Sequence, residues 1–492
     1  MNCEIRNIQL FSVPSDYGHG ANDGAYYPVG LLSIGSHLNR VLPNIDVSII
    51  DRHHDDKTIA NASIVGISAS STLNYRNVLQ CALEAKKNGS VVVLGGPHAT
   101  QLANQIMNNQ DSVVDFIIRG NGEISFQKLI TALINNFSLE TVHNLSWKNH
   151  FGQIIHNPLS NFVWKYDDFL PLNFSLLRNN IQFYWNAFRN KIDSSIDAAF
   201  VVFTHFGCGY REMMVKRKPN GSWCSYCSLN DLLFSRDPKN IVNETLQLIK
   251  ENRLPKGSNI LLKCYGDNVG THITLLEKLK DQIRESKEWN EYNIVWTFYC
   301  QSSRITEQTA KLLSSINTQN LYIGFDSVDD EVQKLNGLGT SRKNHIQATQ
   351  LCKKNDIKIQ AGFVLGCIGE TINSINKTLL FAEKMSKEKL LERINSAILF
   401  IIPGSPAYEK LCEKEPWIKD LDILDTDEIQ YYWVKHFCPN LSNDTYTGIR
   451  LLKDAANYLD ELSPGPHASM GYISKRLHSE NIFTEALEPI NL

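Results

Sequence analysis

The chain has 492 residues, of which 42% are hydrophobic and 21% charged, an ordinary globular composition that allows about two to four domains. Its formal net charge of −3 gives no sign of the basic surface expected of a nucleic-acid-binding protein. No apolar run approaches the ~18 residues of a membrane helix, and the N-terminus lacks the basic-then-apolar order of a signal peptide. We therefore expect a cytoplasmic protein that binds neither nucleic acid nor a membrane.

The first part of the chain, residues 1–135, alternates short strand-like segments with helix-like ones. Strands rich in Val and Ile are predicted over residues 8–13, 47–51, 64–68, 91–94 and 116–119. Helix-like stretches such as 75–88 and 100–109 lie between them. This alternation predicts a doubly wound, Rossmann-like parallel sheet that is covered on both faces by helices.

Ligands of such sheets bind at the carboxyl ends of the strands, so the residues that follow the strands are the candidates for a site. After the third, fourth and fifth strands these residues are small or polar, and glycines let the backbone approach a bulky ligand closely. The candidate residues are Ser68, Ser71, Gly95, Gly96, Pro97, His98, Gly120, Gly122 and Glu123. The alternative for each of them is an ordinary turn residue.

After a less regular segment, 136–197, which we interpret as a linker, the alternation resumes with a different rhythm. Strands are predicted over residues 198–204, 259–263, 294–299, 320–325, 358–365 and 397–402. Helices are predicted over residues 241–251, 273–285, 306–315 and 343–355. Six such units predict a partial (β/α)6 barrel over residues 198–405, followed by a mostly helical C-terminal extension over 406–492.

Three of the eleven cysteines have ligand-like spacing: Cys208, Cys224 and Cys227 form a C-x15-C-x2-C pattern. Three thiolates can hold an iron–sulfur cluster with one iron left open for a further ligand. The other eight cysteines are scattered singly and are interpreted as small buried hydrophobic residues. A zinc site is the alternative for the three, with His205 as the nearby candidate for a fourth ligand.

Polar or glycine residues also follow the later barrel strands, where the chemistry of barrel enzymes takes place. They are Gly266, Asp267, Gln301, Asp326 and Ser327. Each alone is explained by turn formation. Their shared position at the strand ends, together with the cysteine pattern, favours a functional site.

The order of the two halves resembles the radical S-adenosylmethionine (SAM) enzymes that carry a cobalamin-binding (B12-binding) domain, over about residues 5 to 405. Within that family it is nearest to the C-methyltransferases that modify peptides and natural products. The segments that carry the resemblance are the glycine-pair loop at 91–100, the Gly-Asn-Gly-Glu stretch within 114–126, the cysteine motif with the residues after it up to Pro238, and the segment 362–370.

The resemblance implies a role for each candidate residue. Cys208, Cys224 and Cys227 would bind three irons of a [4Fe–4S] cluster, and the residues at the barrel strand ends would bind SAM. These SAM residues are Tyr226, Gly266, Asp267, Gln301, Asp326 and Ser327. The nine candidate residues of the first domain would bind cobalamin.

The cobalt-ligating D-x-H-x-x-G motif of other cobalamin domains is missing from the chain. The stretch 16–20 has the wrong spacing, and Asp51 with His53 lacks the glycine. The absence of an axial histidine is usual in this branch of the family. The alternative is a first domain that serves as a docking platform without cofactor.

The activity that the resemblance implies is reductive cleavage of SAM to a 5′-deoxyadenosyl radical, which modifies an unactivated carbon, most often by methylation. The partners would be a small-molecule or peptide substrate and an electron donor such as flavodoxin or ferredoxin. The alternatives are a radical SAM enzyme without cobalamin that catalyses oxidation, rearrangement or ring formation, and a non-catalytic metal-bound scaffold. No catalytic side chain is singled out.

The fifteen residues between Cys208 and Cys224 exceed the family's usual gap of three. A longer loop is entropically inexpensive, so Cys208 can still reach the cluster. The insert contains four basic residues, Arg211, Lys216, Arg217 and Lys218. We interpret them as part of a solvated hairpin, with contact to an anionic substrate as the alternative.

Overall fold

A computed structural model describes residues 5–15, 24–54, 62–110, 112–160, 165–217, 223–228 and 233–463. The chain divides into two compact units, an N-terminal unit of Met1–Asp193 with Pro416–Leu424 and a C-terminal unit of Ser194–Glu415 with Asp425–Leu492. The domain boundaries 1–135, 198–405 and 406–492 stay predictions beside this division. Within the described ranges, no helix has both the length and the apolar character needed to cross a membrane.

The N-terminal unit is built around a seven-stranded sheet with the order β2-β1-β3-β4-β5-β6-β7. Its strands are β1 (Asn7–Ser12), β2 (Asp46–Asp51), β3 (Ile64–Ser68), β4 (Val91–Gly95), β5 (Phe116–Ile118), β6 (Leu145–Lys148) and β7 (Ile154–His156). Its helices are α1 (Val29–Val41), α2 (Tyr75–Lys87), α3 (Pro97–Gln101), α4 (Ala103–Asn108), α5 (Glu123–Asn135) and α6 (Ile181–Lys191). The first five strands pair in parallel, as the alternating pattern predicted.

The strand order reverses between β1 and β3, and such a switch point is where doubly wound sheets bind their ligands. The first four residues of β3 are buried, as expected for a strand covered on both faces. Asn74 joins the two strand ends at this point, because its side-chain amide donates to the carbonyls of Val13 and Ser68, each at 3.3 Å. The switch point is therefore held in place by a side chain that the strand pattern did not reveal.

The segment 136–197 contains more structure than a linker requires. β6 pairs antiparallel with β5 and β7 pairs antiparallel with β6, so both strands extend the N-terminal sheet. Tyr184 of α6 donates a hydrogen bond to the buried Asp51 at 3.2 Å. The compact N-terminal unit therefore extends to Asp193.

The C-terminal unit contains a six-stranded, wholly parallel sheet with the order β15-β14-β13-β12-β11-β8, which confirms the predicted half-barrel. Its strands are β8 (Ala198–Val201), β11 (Asn259–Lys263), β12 (Asn293–Gln301), β13 (Thr318–Asp326), β14 (Lys358–Leu365) and β15 (Arg393–Ile398), and a separate antiparallel pair consists of β9 (His205–Phe206) and β10 (Phe234–Ser235). The helices are α7 (Gly209–Arg217), α8 (Pro238–Glu251), α9 (Ile273–Glu285), α10 (Glu307–Ser315), α11 (Asp330–Leu335), α12 (Arg342–Lys354), α13 (Ile372–Lys387), α14 (Pro406–Lys414), α15 (Thr426–Phe437) and α16 (Thr445–Glu461).

Two predicted strands of this unit differ clearly from the structure in their bounds. The sixth barrel strand is Arg393–Ile398 rather than 397–402, because its polar centre is satisfied by tertiary contacts. The Ser396 hydroxyl donates to the Asp460 carboxylate of α16 at 2.7 Å, so α16 covers a strand that is not uniformly apolar. The first strand ends at Val201 rather than at residue 204.

The segment after Cys208 was predicted as part of a solvated hairpin, and this prediction was wrong. It forms α7, which is rich in good helix formers such as Arg, Glu, Met and Lys. Lys216 pairs with Glu212 one turn earlier at 2.5 Å, a spacing that supports a helix. Lys218 lies outside the described residues, as do the stretch 16–20 and residues 464–492 of the C-terminal extension.

Candidate active site

The three cysteines of the C-x15-C-x2-C pattern differ from the other thiols in their exposure. Cys208, Cys224 and Cys227 are half-buried, whereas every other cysteine that the structure describes is buried. All of these thiols are free of disulfides. Partial access is what a ligand needs in order to receive iron, and full burial fits the predicted hydrophobic role of the rest.

The base of the cysteine loop is closed by contacts between its two ends. β9 lies just before Cys208, and its residues His205 and Phe206 pair with Ser235 and Phe234 of β10. Arg236, which follows β10, is fully buried and donates to the Glu244 carboxylate at 2.7 Å. A buried charge needs such a partner, so this ion pair holds the returning chain against α8.

Cys224 and Cys227 belong to one tight turn, in which the Cys227 amide donates to the Cys224 carbonyl at 3.2 Å. Burial raises the pKa of the Cys224 thiol well above its ordinary value, and the negative charges of Asp326 and Cys227 raise it further. A thiolate at this position is therefore unfavourable without a compensating cation. Coordination of iron would supply that compensation.

Asp326 ends β13 in a strained conformation. Its φ of 56° lies in the left-handed region, and the pairing of β13 with β14 shifts register between Gly324 and Asp326. Burial raises the pKa of the Asp326 carboxyl to about 6, an effect that the hydroxyl of Tyr226 opposes. The predicted SAM residues Tyr226 and Asp326 are therefore neighbours, although Tyr226 belongs to the cysteine loop.

Asp267 and Gln301 are both used to join strand-end loops. Asp267 accepts a hydrogen bond from the Gly207 amide at 2.7 Å, directly before Cys208. The Gln301 side chain donates to the Leu338 carbonyl at 2.5 Å, and the Gln301 backbone N–H donates to the Asn268 side-chain oxygen at 3.1 Å. These residues fix the shape of the site whether or not they also contact SAM.

Gly266 and Ser327 lie beside buried side chains. A Cβ atom on Gly266 would come within 2.4 Å of the His205 ring, so only glycine fits there. Ser327 is buried, and its hydroxyl accepts a hydrogen bond from the Asp329 amide at 3.3 Å. Both positions thus have a structural role at the strand ends.

His205, the candidate fourth ligand of a zinc site, lies in a buried pair with His272. The two ring centroids are 4.3 Å apart, and His205 Nδ1 lies 2.8 Å from the Thr204 hydroxyl. Burial lowers the pKa of His205 well below its ordinary value, and His272 lowers it further. Within the described part of the chain, no group of three or more His, Cys, Asp or Glu side chains is arranged to hold a single metal ion.

Glu370 ends the segment 362–370, but no role was predicted for it. It is fully buried and accepts hydrogen bonds from the Gly366 and Cys367 amides at 3.1 and 3.3 Å, and from the Ser374 hydroxyl at 2.8 Å. Burial raises the pKa of this carboxyl to about 7. Glu370 thereby shapes the loop after β14. An acidic residue that directly follows a Gly-x-x-Gly pattern after an apolar strand was the available signal in the sequence.

In the N-terminal unit, Gly95 and Gly120 leave open space at the strand ends. A Cβ atom on Gly95 would have its nearest neighbour 3.8 Å away, and one on Gly120 would meet nothing within 4 Å. Gly120 also has a φ of +72°, which favours glycine. Ser68 ends β3 and is half-buried, whereas Pro97 begins α3 and is exposed. These positions could accommodate the body of a large ligand.

The other candidates of this unit are engaged in its own structure. Ser71 accepts a hydrogen bond from the Leu73 amide at 3.1 Å, and Glu123 accepts one from the Ser33 hydroxyl at 2.8 Å. Gly96 lies against the Ala69 carbonyl, and Gly122 lies against Ile34. His98 is buried between the Thr72 hydroxyl at 3.1 Å and the Asp422 carbonyl at 3.2 Å. Burial lowers the pKa of His98 to about 4, so it is neutral.

The contact of His98 with Asp422 reveals a feature that the sequence did not show. Pro416–Leu424, from the predicted C-terminal extension, belongs to the N-terminal unit. Gln105 and Asn109 of the α4 region also hydrogen-bond this segment, at 2.9 Å to the Lys419 carbonyl and 3.1 Å to the Asp422 carboxylate. The N-terminal unit is therefore completed by residues about 300 positions further along the chain.

Comparison with known families finds a match within each of the two halves. The B12 binding domain family matches residues 23–130, and the radical SAM superfamily matches residues 219–382. The first match spans β2 to β5 of the N-terminal sheet, and the second spans β11 to β14 of the half-barrel.

Individual relatives span most of the chain. An uncharacterized methyltransferase of Pyrococcus horikoshii is 23% identical over 372 residues, which are 73% of each protein. The anaerobic magnesium-protoporphyrin IX monomethyl ester cyclase of Rubrivivax gelatinosus is 23% identical over 428 residues, 82% of this chain and 70% of the cyclase. The chain is thus similar both to a methyltransferase and to a ring-forming enzyme.

A solved structure shares the fold. It is that of TsrM, a radical S-adenosylmethionine methyltransferase from Kitasatospora setae, with cobalamin and a [4Fe–4S] cluster bound. The TM-score is 0.63 at 14% identity, and the match covers 84% of this chain and 75% of that one. At this identity, the likeness establishes the architecture alone.

Proposed function

The chain belongs to the radical SAM enzymes that carry a B12-binding domain, and from this premise we propose that it methylates an unactivated carbon of a peptide or natural-product substrate. Its cofactors are a [4Fe–4S] cluster, SAM and cobalamin. When bound, the cluster supplies an electron for the cleavage of SAM, and cobalamin supplies a transferable methyl group. The proposal rests on the methyltransferases among the similar proteins.

The observation that supports this proposal most strongly is the grouping around Cys224. The residue is half-buried, its thiol is affected by both Cys227 and Asp326, and Tyr226 lies beside Asp326. The same place thus holds soft sulfur ligands for iron and a carboxylate that can pair with the amino or hydroxyl groups of SAM. The proposed roles are therefore iron binding for Cys208, Cys224 and Cys227, and SAM binding for Tyr226 and Asp326.

The remaining SAM candidates would act mainly by orienting the site. Asp267 and Gln301 hold the strand-end loops through Gly207 and Leu338, so their proposed contribution is a fixed geometry for the cleavage step. In the N-terminal unit, Gly95 and Gly120 would admit the corrin ring, because they alone among the nine candidates combine open space with a strand-end position. An electron donor such as flavodoxin or ferredoxin would reduce the cluster.

A second candidate function is oxidation or ring formation. It is favoured by the similarity to the ester cyclase of Rubrivivax gelatinosus, which covers 82% of this chain. Both candidates require the cluster and SAM, and they differ in the need for cobalamin and in the fate of SAM. Methyl transfer converts SAM to S-adenosylhomocysteine, whereas radical chemistry alone yields 5′-deoxyadenosine.

The test is anaerobic purification and reconstitution of the full chain, followed by iron and corrinoid assays and analysis of SAM products under reducing conditions. We expect about four irons per chain, bound corrinoid, and both SAM products. Iron with 5′-deoxyadenosine but without S-adenosylhomocysteine would favour the second candidate. Zinc in place of iron would overturn both and point to a metal-bound scaffold.

A further inference from the structure

The two ends of the long insert are bound by the same short loop. We define the first arm as residues 207–211, which contain Cys208, and the second arm as residues 223–227, which contain the other two cysteines. The Tyr210 hydroxyl of the first arm donates to the Gly337 carbonyl at 2.9 Å. The Ser225 amide of the second arm donates to the adjacent Asn336 carbonyl, also at 2.9 Å. Both arms therefore converge on the loop 336–339, which we call the seat.

The seat is itself held firmly by the barrel. Asn336 is fully buried, and its side-chain amide donates to the Val332 carbonyl at 2.7 Å and to the Ile368 carbonyl at 3.0 Å. The same side chain accepts hydrogen bonds from the Ile368 amide at 3.0 Å and from the Ser225 hydroxyl at 2.9 Å. A loop with so many hydrogen-bond partners is held rigidly, so a segment that docks on it is also held in a fixed position.

The seat is shaped to receive an aromatic ring. Gly339 has a φ of +67°, and a Cβ atom at this position would lie 2.4 Å from Cε2 of Tyr210. Glycine is therefore required both by the backbone conformation and by the close approach of the ring. Tyr210 is anchored twice, by its hydroxyl to Gly337 and by its ring against Gly339.

Two further contacts limit the freedom of the arms. The Arg211 guanidinium of the first arm lies over the Trp223 ring of the second, 5.1 Å from its centroid. Gly209 is packed so closely against Thr271 that an added Cβ would lie 2.9 Å from the Thr271 Cβ. The first arm is thus bounded on one side by the second arm and on another by the residues that follow Asp267.

We propose that Tyr210 is a positioning residue, which with Ser225 sets the distance between Cys208 and the Cys224–Cys227 pair by docking both arms on the seat. In a short motif the covalent chain itself limits this distance. Here fifteen residues separate the first two cysteines, and the chain imposes little restraint. The seat replaces that restraint with tertiary contacts. The inference rests on the proposed function, because it assumes that the cysteines bind a cluster.

The test compares reconstituted full-length variants Tyr210→Phe, Tyr210→Ala and Ser225→Ala. The measurements are iron per chain, the rate of cluster loss to a ferrous chelator followed by visible absorbance, and the EPR signal of the reduced cluster. The matched control is Lys216→Ala, which alters an exposed side chain of the same helix. The melting temperature of the apoprotein shows whether a variant has lost its fold rather than its cluster geometry.

We expect Tyr210→Phe and Ser225→Ala each to lose the cluster about fivefold faster, because each removes one hydrogen bond. Tyr210→Ala should lose it on the order of a hundredfold faster, because the ring contact also disappears. An altered EPR signal with an unchanged apoprotein melting temperature identifies positioning. Tyr210→Phe should lose the cluster more slowly than Tyr210→Ala, because phenylalanine keeps the ring contact with Gly339. Lys216→Ala should match the wild type in every measurement.

The seat can also be altered from its own side. Gly339→Ala should strain the seat and displace the Tyr210 ring, and so accelerate cluster loss. In the Tyr210→Ala background it should add less, since only the backbone strain remains. If Tyr210→Ala and Ser225→Ala retain the cluster at the wild-type rate, the inference is wrong and the proposed function stands. If the wild type itself binds no iron, it is the proposed function that fails.

Discussion

The strand-end loops of the two units are organised in different ways. In the N-terminal unit, the strand ends at Gly95 and Gly120 leave open space, where an added Cβ would have no neighbour closer than 3.8 Å. In the C-terminal unit, the strand-end loops are joined by side chains across distant parts of the chain, as between Asp267 and Gly207, 60 residues apart, or Ser225 and Asn336, 111 apart. The first site depends on space left open, and the second on side chains held in place.

This difference predicts how each site can be damaged. A site made of open space is lost when a side chain fills it, whereas removing a side chain there affects mainly the stability of the domain. A site made of long-range contacts is lost when a side chain is removed. Filling variants should therefore be informative in the N-terminal unit, and truncating or charge-removing variants in the C-terminal unit.

The largest effect is expected from loss of a cluster ligand. Cys208→Ala should abolish both the full iron content and the cleavage of SAM, because only two thiolates would remain for the cluster. The control is Cys264→Ala, which removes a buried thiol at the end of β11 that contacts the Thr204 hydroxyl. Iron analysis and SAM product assays distinguish the two. Full activity of Cys208→Ala would show that the long-gap ligand assignment is wrong.

The next largest effects are changes in stability with pH. They have opposite directions for the two buried groups Glu370 and His98. Burial raises the pKa of Glu370 from 4.5 to about 7, so its contribution to stability is complete below pH 4.5 and is lost as the pH rises through 7. Burial lowers the pKa of His98 from 6.5 to about 4, so its contribution is complete above pH 6.5 and is lost as the pH falls through 4.

These responses are tested by the unfolding of the variants Glu370→Gln and His98→Asn against the wild type between pH 4 and 8. Relative to the wild type, Glu370→Gln should gain stability toward pH 8, and His98→Asn should gain it toward pH 4, each by at most about 3 kcal/mol. The corrinoid affinity of His98→Asn should change only as far as the stability of the N-terminal unit changes. A difference curve that is flat with pH for either variant would contradict the buried-group explanation.

A smaller effect is expected from the charge of Asp326. Asp326→Asn preserves the shape of the side chain but removes its negative charge, so we expect SAM to bind roughly 10- to 100-fold more weakly. Titration calorimetry on the reconstituted protein measures this directly. Asp281→Asn, at a half-exposed position on α9, serves as the control. Unchanged SAM affinity in Asp326→Asn would remove this residue from the site.

The smallest effect concerns the two ends of β4. Gly95→Asn would fill the open space at the carboxyl end of the strand, and we expect corrinoid to bind about tenfold more weakly. Gly89→Asn places the same side chain before the amino end, where a Cβ meets nothing within 4 Å and where Asn tolerates the left-handed backbone. The two variants should differ in corrinoid affinity. Equal affinities would argue against cobalamin at this edge.

Uniform local patterns were predicted accurately. The strands Ile64–Ser68, Asn259–Lys263 and Lys358–Leu365 and the helix Ile273–Glu285 occur with the predicted bounds, because each is a clear apolar run or a clear helical period. β15 was misplaced, since its buried Ser396 depends on Asp460 of α16. The chemical kind of the site residues and their position at the strand ends were predicted from the sequence, but the contacts that these residues make were not.

The sequence by itself determined two parallel α/β units, the cysteine pattern, and the small or acidic residues at the strand ends, because these depend on local periodicity and residue chemistry. Only the tertiary structure decided that His98 faces Asp422, that Asp326 neighbours Tyr226, and that the insert begins with a helix whose Tyr210 docks on the seat. Each of these depends on contacts between residues far apart in the chain, which no local pattern encodes.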